Sequence, residues 1–95
     1  MIQSFSCENT RDLFLADKVS RKEGWASVAQ IARRKLQIIH AAHRIVDLKI
    51  PPGNRLHPLY GNLSGFYSIS INDQWRIIFI WRDGNAYEVK ITDYH

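Results

Sequence analysis

YSISINDQWRIIFIWRDGNAYEVKIT, residues 67–92, is the stretch that decides the fold. Tyr67, Ile69 and Ile71 alternate with Ser68 and Ser70, a period of two that sends successive side chains to opposite faces of a strand. Asn72-Asp73 supplies a turn. Gln74 to Trp81 then reads as a strand so apolar that both its faces are covered near the middle. After the tight turn Asp83-Gly84-Asn85, the residues Tyr87, Val89 and Ile91 alternate with Glu88, Lys90 and Thr92. Short turns between strands imply antiparallel pairing, so this half of the chain is predicted to be a meander.

Upstream the period changes. Pro51-Pro52-Gly53 forbids a helix and closes the one before it, while Arg55–Tyr60 reads as a further strand joined by the Gly61-Asn62-Leu63-Ser64-Gly65 loop. Between residues 28 and 46, Val28, Ile31, Ala32, Leu36, Ile39, Ala42 and Val46 recur at steps of three and four, one buried stripe of a helix. Ser27 with Gln30 reads as a capping box at its start, and the helix is expected to end in the region 44–50. Asn9 or Thr10 is expected to cap a shorter helix carrying Leu13, Phe14 and Leu15. Residues 1–6 form a weak strand candidate through Ile2, Ser4 and Phe5. The expectation is a single α+β domain over residues 1–95: two N-terminal helices packed on one face of a curled, mainly antiparallel sheet, the other face left for a ligand.

Composition narrows the function classes. With 45% apolar residues the chain has enough for a core, and wholesale disorder is excluded. The apolar run Ile77–Trp81 is far short of the roughly 20 residues of a membrane span, and no signal peptide is visible. One cysteine, Cys7, makes no internal disulfide, which fits a reducing cytoplasm. The net charge of +4 comes from the first half of the chain, either a solvated helix face or a surface for phosphates. Arg33, Arg34 and Lys35 are candidates for contact with a partner, or are simply solvated. No glycine-rich phosphate loop is present. His40 and His43 lie three apart on the helix without further ligands at metal spacing, so no metal and no cofactor is expected.

His57 stands in a different context. In a strand it shares a face with Arg55. Asp93-Tyr94-His95 follows a well-specified strand and is either a frayed tail or a functional triplet.

Met1-Ile2-Gln3-Ser4-Phe5, the block Arg55-Leu56-His57-Pro58-Leu59-Tyr60-Gly61-Asn62 continuing through Gly65–Ile69, Asn72-Asp73-Gln74-Trp75-Arg76-Ile77 and the triplet Asp93-Tyr94-His95 together resemble the HigB branch of the RelE toxins, in order and spacing over nearly the whole chain. The resemblance implies a compact helix-plus-sheet ribonuclease toxin that acts on messenger RNA in the ribosomal A site. It also implies silencing by a cognate helix-turn-helix antitoxin, the toxin itself being a monomer. By position it nominates His57, Arg76, Asp93, Tyr94 and His95 for the active site, with Arg55, Tyr60 and Asn72 toward RNA. Tyr60 departs from relatives that carry lysine there, which leaves Arg76 and Arg55 as the cationic phosphate contacts. Such groups suit metal-free cleavage, in which the 2′-hydroxyl attacks its own phosphate between a base and an acid. Asp93 could serve as base or orient a histidine; Tyr94 could bond a phosphate or stack on a base. The alternative is a toxin of the ParE type, which binds DNA gyrase and cuts nothing.

Overall fold

The computed structural model describes residues 1–94. Helix α1 (Glu8–Ala16) is followed by a 3-10 turn at Gly24–Val28 and by helix α2 (Ala29–Ala41). Further 3-10 turns at Ile45–Lys49 and Pro52–Asn54 lead into a two-residue strand β1 (His57–Pro58). The meander follows as β2 (Phe66–Ser70), β3 (Trp75–Arg82) and β4 (Asn85–Asp93). All neighbours in the order β1-β2-β3-β4 are antiparallel. Beyond β4, Ile2 and Phe5 make parallel bridges to Ala86 and Val89, so the expected first strand is a pair of isolated contacts along the sheet edge. Among the described residues no helix is long and apolar enough to cross a membrane.

One core joins helices and sheet. Leu13 of α1 and Ala29, Ala32, Leu36 and Ile39 of α2 pack with Ile69, Ile77, Phe79, Val89 and Ile91, and Trp25 fills the space before α2. The stripe is narrower than its periodicity suggested: Ile31 and Val46 are 37% and 42% exposed. Helix α2 stops at Ala41 because the Asp47 carboxylate accepts the N–H groups of His43 (3.1 Å) and Arg44 (3.0 Å) and starts a new turn. No side chain caps its other end, where Val28 holds the N-cap position in place of Ser27. Thr10 likewise caps nothing. It is buried inside α1, and its Oγ1 accepts the Ile91 N–H (3.1 Å), tying helix to sheet.

Two of the three consecutive cations of α2 are used internally. Arg33 Nε donates to the Leu13 carbonyl (3.0 Å), which also takes the Asp17 N–H (3.1 Å), and Nη2 to that of Phe14 (3.4 Å), in the last turn of α1. Lys35 donates to Oδ1 of buried Asn54, whose Nδ2 in turn reaches the carbonyls of Leu48 (3.2 Å) and Ile50 (3.3 Å). Burial, reinforced by the Arg34 charge, holds the Lys35 ammonium below the ordinary lysine pKa. Arg34 remains exposed.

Strand β4 carries a bulge. The register shifts between Ile78 and Ile80, and Glu88 takes a left-handed φ of 53°. Ser4 Oγ accepts the Glu88 N–H (2.9 Å) and Ser6 Oγ donates to its carbonyl (3.2 Å), so the bulge is held from the sheet edge. The expected alternation of Tyr87 with Val89 and Ile91 breaks here. Ala86 is buried beside Val89 and Ile91, and Tyr87, opposite Ile80, turns to the other face under Arg82.

Candidate active site

The face of the sheet away from the helices carries two serines beside an isoleucine. Ser68, Ser70 and Ile78 project there by alternation, yet all three are buried. Across the strands, His57 stands opposite Ser68 and Ser68 opposite Ile78; one step along, Ser70 stands opposite Arg76 and Arg76 opposite Thr92. Paired residues share a face, so His57 and Arg76 occupy neighbouring rows of one surface.

Arg55 arrives from a different route than a strand would give. It ends the Pro52–Asn54 turn with a left-handed φ of 48°, and β1 begins only at His57. Its side chain still reaches this face. Nη2 donates to Ser70 Oγ (2.8 Å) and to the Asn72 carbonyl (3.4 Å), and stands 3.8 Å from the Asp73 carboxylate. The Ser70 hydroxyl in turn donates to the Asn72 carbonyl (2.9 Å). Tyr94 completes the group: its N–H donates to the Gln74 carbonyl (2.9 Å), which carries the chain past the end of β4. The Tyr94 ring lies 5.0 Å from the guanidinium carbon of Arg76 and 5.7 Å from that of Arg55, within cation–π range of both. Arg76 Nε and Ser68 Oγ are buried without a hydrogen-bond partner among the described residues.

His57 is exposed on this face, with Nδ1 2.7 Å from the Arg55 carbonyl. The other nominated residues are placed elsewhere. Asp93 stands opposite Trp75, so alternation turns its carboxylate to the helix side, where Oδ2 accepts from Gln74 Nε2 (3.2 Å). Asn72 shapes the β2–β3 turn, its Oδ1 taking the N–H groups of Gln74 (2.9 Å) and Trp75 (2.7 Å). Tyr60 is 80% exposed ahead of the Gly61–Leu63 turn. His95 lies outside the described residues. His40, weighed for metal, accepts the Ile2 N–H at Nδ1 (3.1 Å) and packs its ring 5.2 Å from that of Phe14.

Ser70 is the site residue that sequence reasoning passed over. Its signal was present in the alternation, since serines in the middle of a strand whose neighbours are aromatic and β-branched mark a face that is not core. Two hollows of about 510 and 360 Å³ lie along α2 between Val19 and Gln37 and include none of these groups. Chemically, this face offers two fixed cations for an anion, an aromatic ring between them, and an exposed imidazole.

A profile of the family described as RelE-like toxin of type II toxin-antitoxin system HigB matches residues 3–95. Toxin HigB-1 of Vibrio cholerae is 51% identical over 61 residues, 64% of this chain and 64% of that protein. Endoribonuclease HigB of Proteus vulgaris is 39% identical over 61 residues, 64% of this chain and 65% of its own length. The matched segment thus spans just under two thirds of these relatives. In three dimensions the fold is similar to that of YafQ from E. coli, with a TM-score of 0.63, 18% sequence identity, and coverage of 99% of this chain and 92% of that one.

Proposed function

Because the chain belongs to the HigB-like family, the RelE-like toxins of type II toxin-antitoxin systems, we propose that it is an endoribonuclease toxin that cleaves messenger RNA by attack of the upstream 2′-hydroxyl on the adjacent phosphate. The observation that carries the proposal is the meeting of Arg55 and Arg76 over Tyr94 on the face that also bears His57. The match to the HigB-like toxins, one of whose similar relatives is named an endoribonuclease, favours this reading over gyrase binding.

In the proposed reaction His57 takes the 2′-hydroxyl proton, the oxygen bonds to phosphorus, and the bond to the downstream 5′-oxygen breaks. His95 protonates that leaving oxygen, giving a 2′,3′-cyclic phosphate and a 5′-hydroxyl end. Arg76 offsets the charge that develops on the equatorial oxygens, and Arg55 binds the phosphate throughout the reaction; guanidinium forks suit phosphate geometry. Tyr94 supports a splayed base by stacking or a phosphate by its hydroxyl. Asp93, bonded to Gln74, is left out of the proton transfer in favour of His57, and orienting a histidine is the role that stays open to it.

The proposal extends to the setting. The toxin domain of residues 1–95 works as a cytoplasmic monomer on A-site mRNA and is silenced by a helix-turn-helix antitoxin. A net charge of +4 allows few phosphate contacts, so the ribosome supplies the positioning that this surface lacks. The test is cleavage of a ribosome-bound message with mapping of the product ends. Expected are 5′-hydroxyl ends, slow cutting of naked RNA, and a loss of about 10²–10⁴-fold for His95→Gln, the usual worth of a proton donor. Ends bearing 5′-phosphate, or an intact message on programmed ribosomes, would refute the proposal.

A further inference from the structure

Arg55 reaches the site twice, once with its side chain and once with its backbone. Its left-handed φ is unusual for a residue with a long side chain. The geometry brings the Arg55 carbonyl within 2.7 Å of His57 Nδ1. A carbonyl oxygen only accepts hydrogen bonds, so the proton of the neutral imidazole belongs on Nδ1, and Nε2 carries the free lone pair. Asp93, the acid nominated for orienting a histidine, is on the helix side of the sheet with Gln74. A backbone carbonyl therefore does for His57 what a carboxylate does in many catalytic histidine sites.

We infer that Arg55 is a positioning residue for the cleavage reaction: its left-handed backbone holds His57 in the Nδ1–H form with Nε2 ready to accept the 2′-hydroxyl proton, while Ser70 anchors its guanidinium for the phosphate. The inference rests on the ribonuclease reading above. When Nε2 takes that proton the ring becomes an imidazolium whose Nδ1–H remains on the carbonyl, so the ring need not flip during the step. The imidazolium then returns the proton to solvent. Ser70 matters because its hydroxyl accepts from Arg55 and donates to the Asn72 carbonyl, a relay that fixes the guanidinium beside Tyr94.

Substitutions at position 55 separate the two contributions. Arg55→Asn removes the guanidinium but keeps a residue that tolerates the left-handed region, whereas Arg55→Val removes both. Nitrogen-15 NMR of the His57 ring, read in its neutral form, needs neither ribosome nor substrate. Expected are the Nδ1–H pattern in the unaltered protein and in Arg55→Asn, and mixed tautomers in Arg55→Val. In ribosome-dependent cleavage, Arg55→Asn should raise KM by about 10-fold with a smaller change in kcat. Arg55→Val should lower kcat by about a further 10²-fold, in the range for a misplaced proton acceptor.

An Nε2–H ring in the unaltered protein overturns the inference outright, whatever the variants do. So does a tautomer ratio that is the same in Arg55→Val and Arg55→Asn. A ring that changes as expected while both variants share one kcat removes His57 from proton transfer and leaves cleavage itself intact. Failure of the unaltered protein to cut a ribosome-bound message overturns the ribonuclease reading instead, and this inference with it.

Discussion

On the helix side of the sheet, Ile69, Ile77, Phe79, Val89 and Ile91 lock into the helices with no polar atom among their side chains. On the other side, one residue along, stand Ser68, Ser70, Arg76 and Tyr94, where Arg76 Nε and Ser68 Oγ are buried without a hydrogen-bond partner among the described residues. The first face is held by removal of apolar surface from water, which is non-directional and tolerates conservative exchange. The second keeps directed charge in place at a cost, since a buried polar group left unpaired is worth about 1–3 kcal/mol against folding. The two faces alternate along the same strands, so stability and chemistry are separated by a single residue step.

That separation predicts opposite behaviour for neighbouring substitutions. Phe79→Ala, at the centre of the helix-side face, should cost about 3–5 kcal/mol in a denaturant titration while leaving cleavage per folded molecule unchanged. Arg76→Met should do the reverse. Cleavage should fall about 10²–10³-fold, the worth of one fixed charge-stabilising donor, and the unfolding midpoint should hold or rise as the unpaired Nε–H is removed. If Arg76→Met unfolds the protein as Phe79→Ala does, the two faces are not independent.

Gly24→Ala tests the border between them. A Cβ there would lie 2.6 Å from Trp75 Cζ2 and 2.9 Å from Cη2, so the indole must move, with about 1–3 kcal/mol of overpacking expected. Trp75 is paired with Asp93, so this variant should also lower activity modestly, where Phe79→Ala does not. Activity unaltered in Gly24→Ala would show that the end of β4 is positioned independently of that indole.

The smallest effect belongs to Asp47, far from either face. The Arg44 N–H, then that of His43 and the Arg44 charge, hold its carboxyl below the usual carboxylate range against some desolvation. A depressed folded-state pKa gives stability that is present above the unfolded value and lost as pH falls through the folded one. Asp47→Asn should therefore flatten the acid limb of a stability curve below about pH 4 and change little at neutrality.

How far the sequence could be read follows the same division. The helix-side face was legible because the periods of α2 and of residues 67–81 reflect burial directly, and the α+β arrangement followed from them. The structure brings together the expected Arg55, Arg76 and Tyr94, with His57 on the same face, because that grouping needs only strand parity and a reach across neighbouring strands. Events that depend on one backbone dihedral or one competing hydrogen bond were not legible. Thr10 bonds β4 where a cap was expected, Asp47 cuts α2 short, and Asn72 is spent on its turn. The left-handed φ of Arg55 carries no compositional mark, since turns usually signal it with glycine or asparagine.

The bulge at Glu88 sets the parity of everything after it in β4. With residue 88 in an ordinary extended conformation, Val89 and Ile91 would exchange sides with Lys90 and Thr92, and Asp93 would turn toward the arginines while Tyr94 faced the helices. The strand thus holds one residue more than its ladder uses. Shortening the chain by that residue would keep every later side chain on its present side, whereas a β-branched replacement that straightened the backbone would turn the whole segment over. Here a deletion is the gentler change, and a point substitution the one that rewrites the surface.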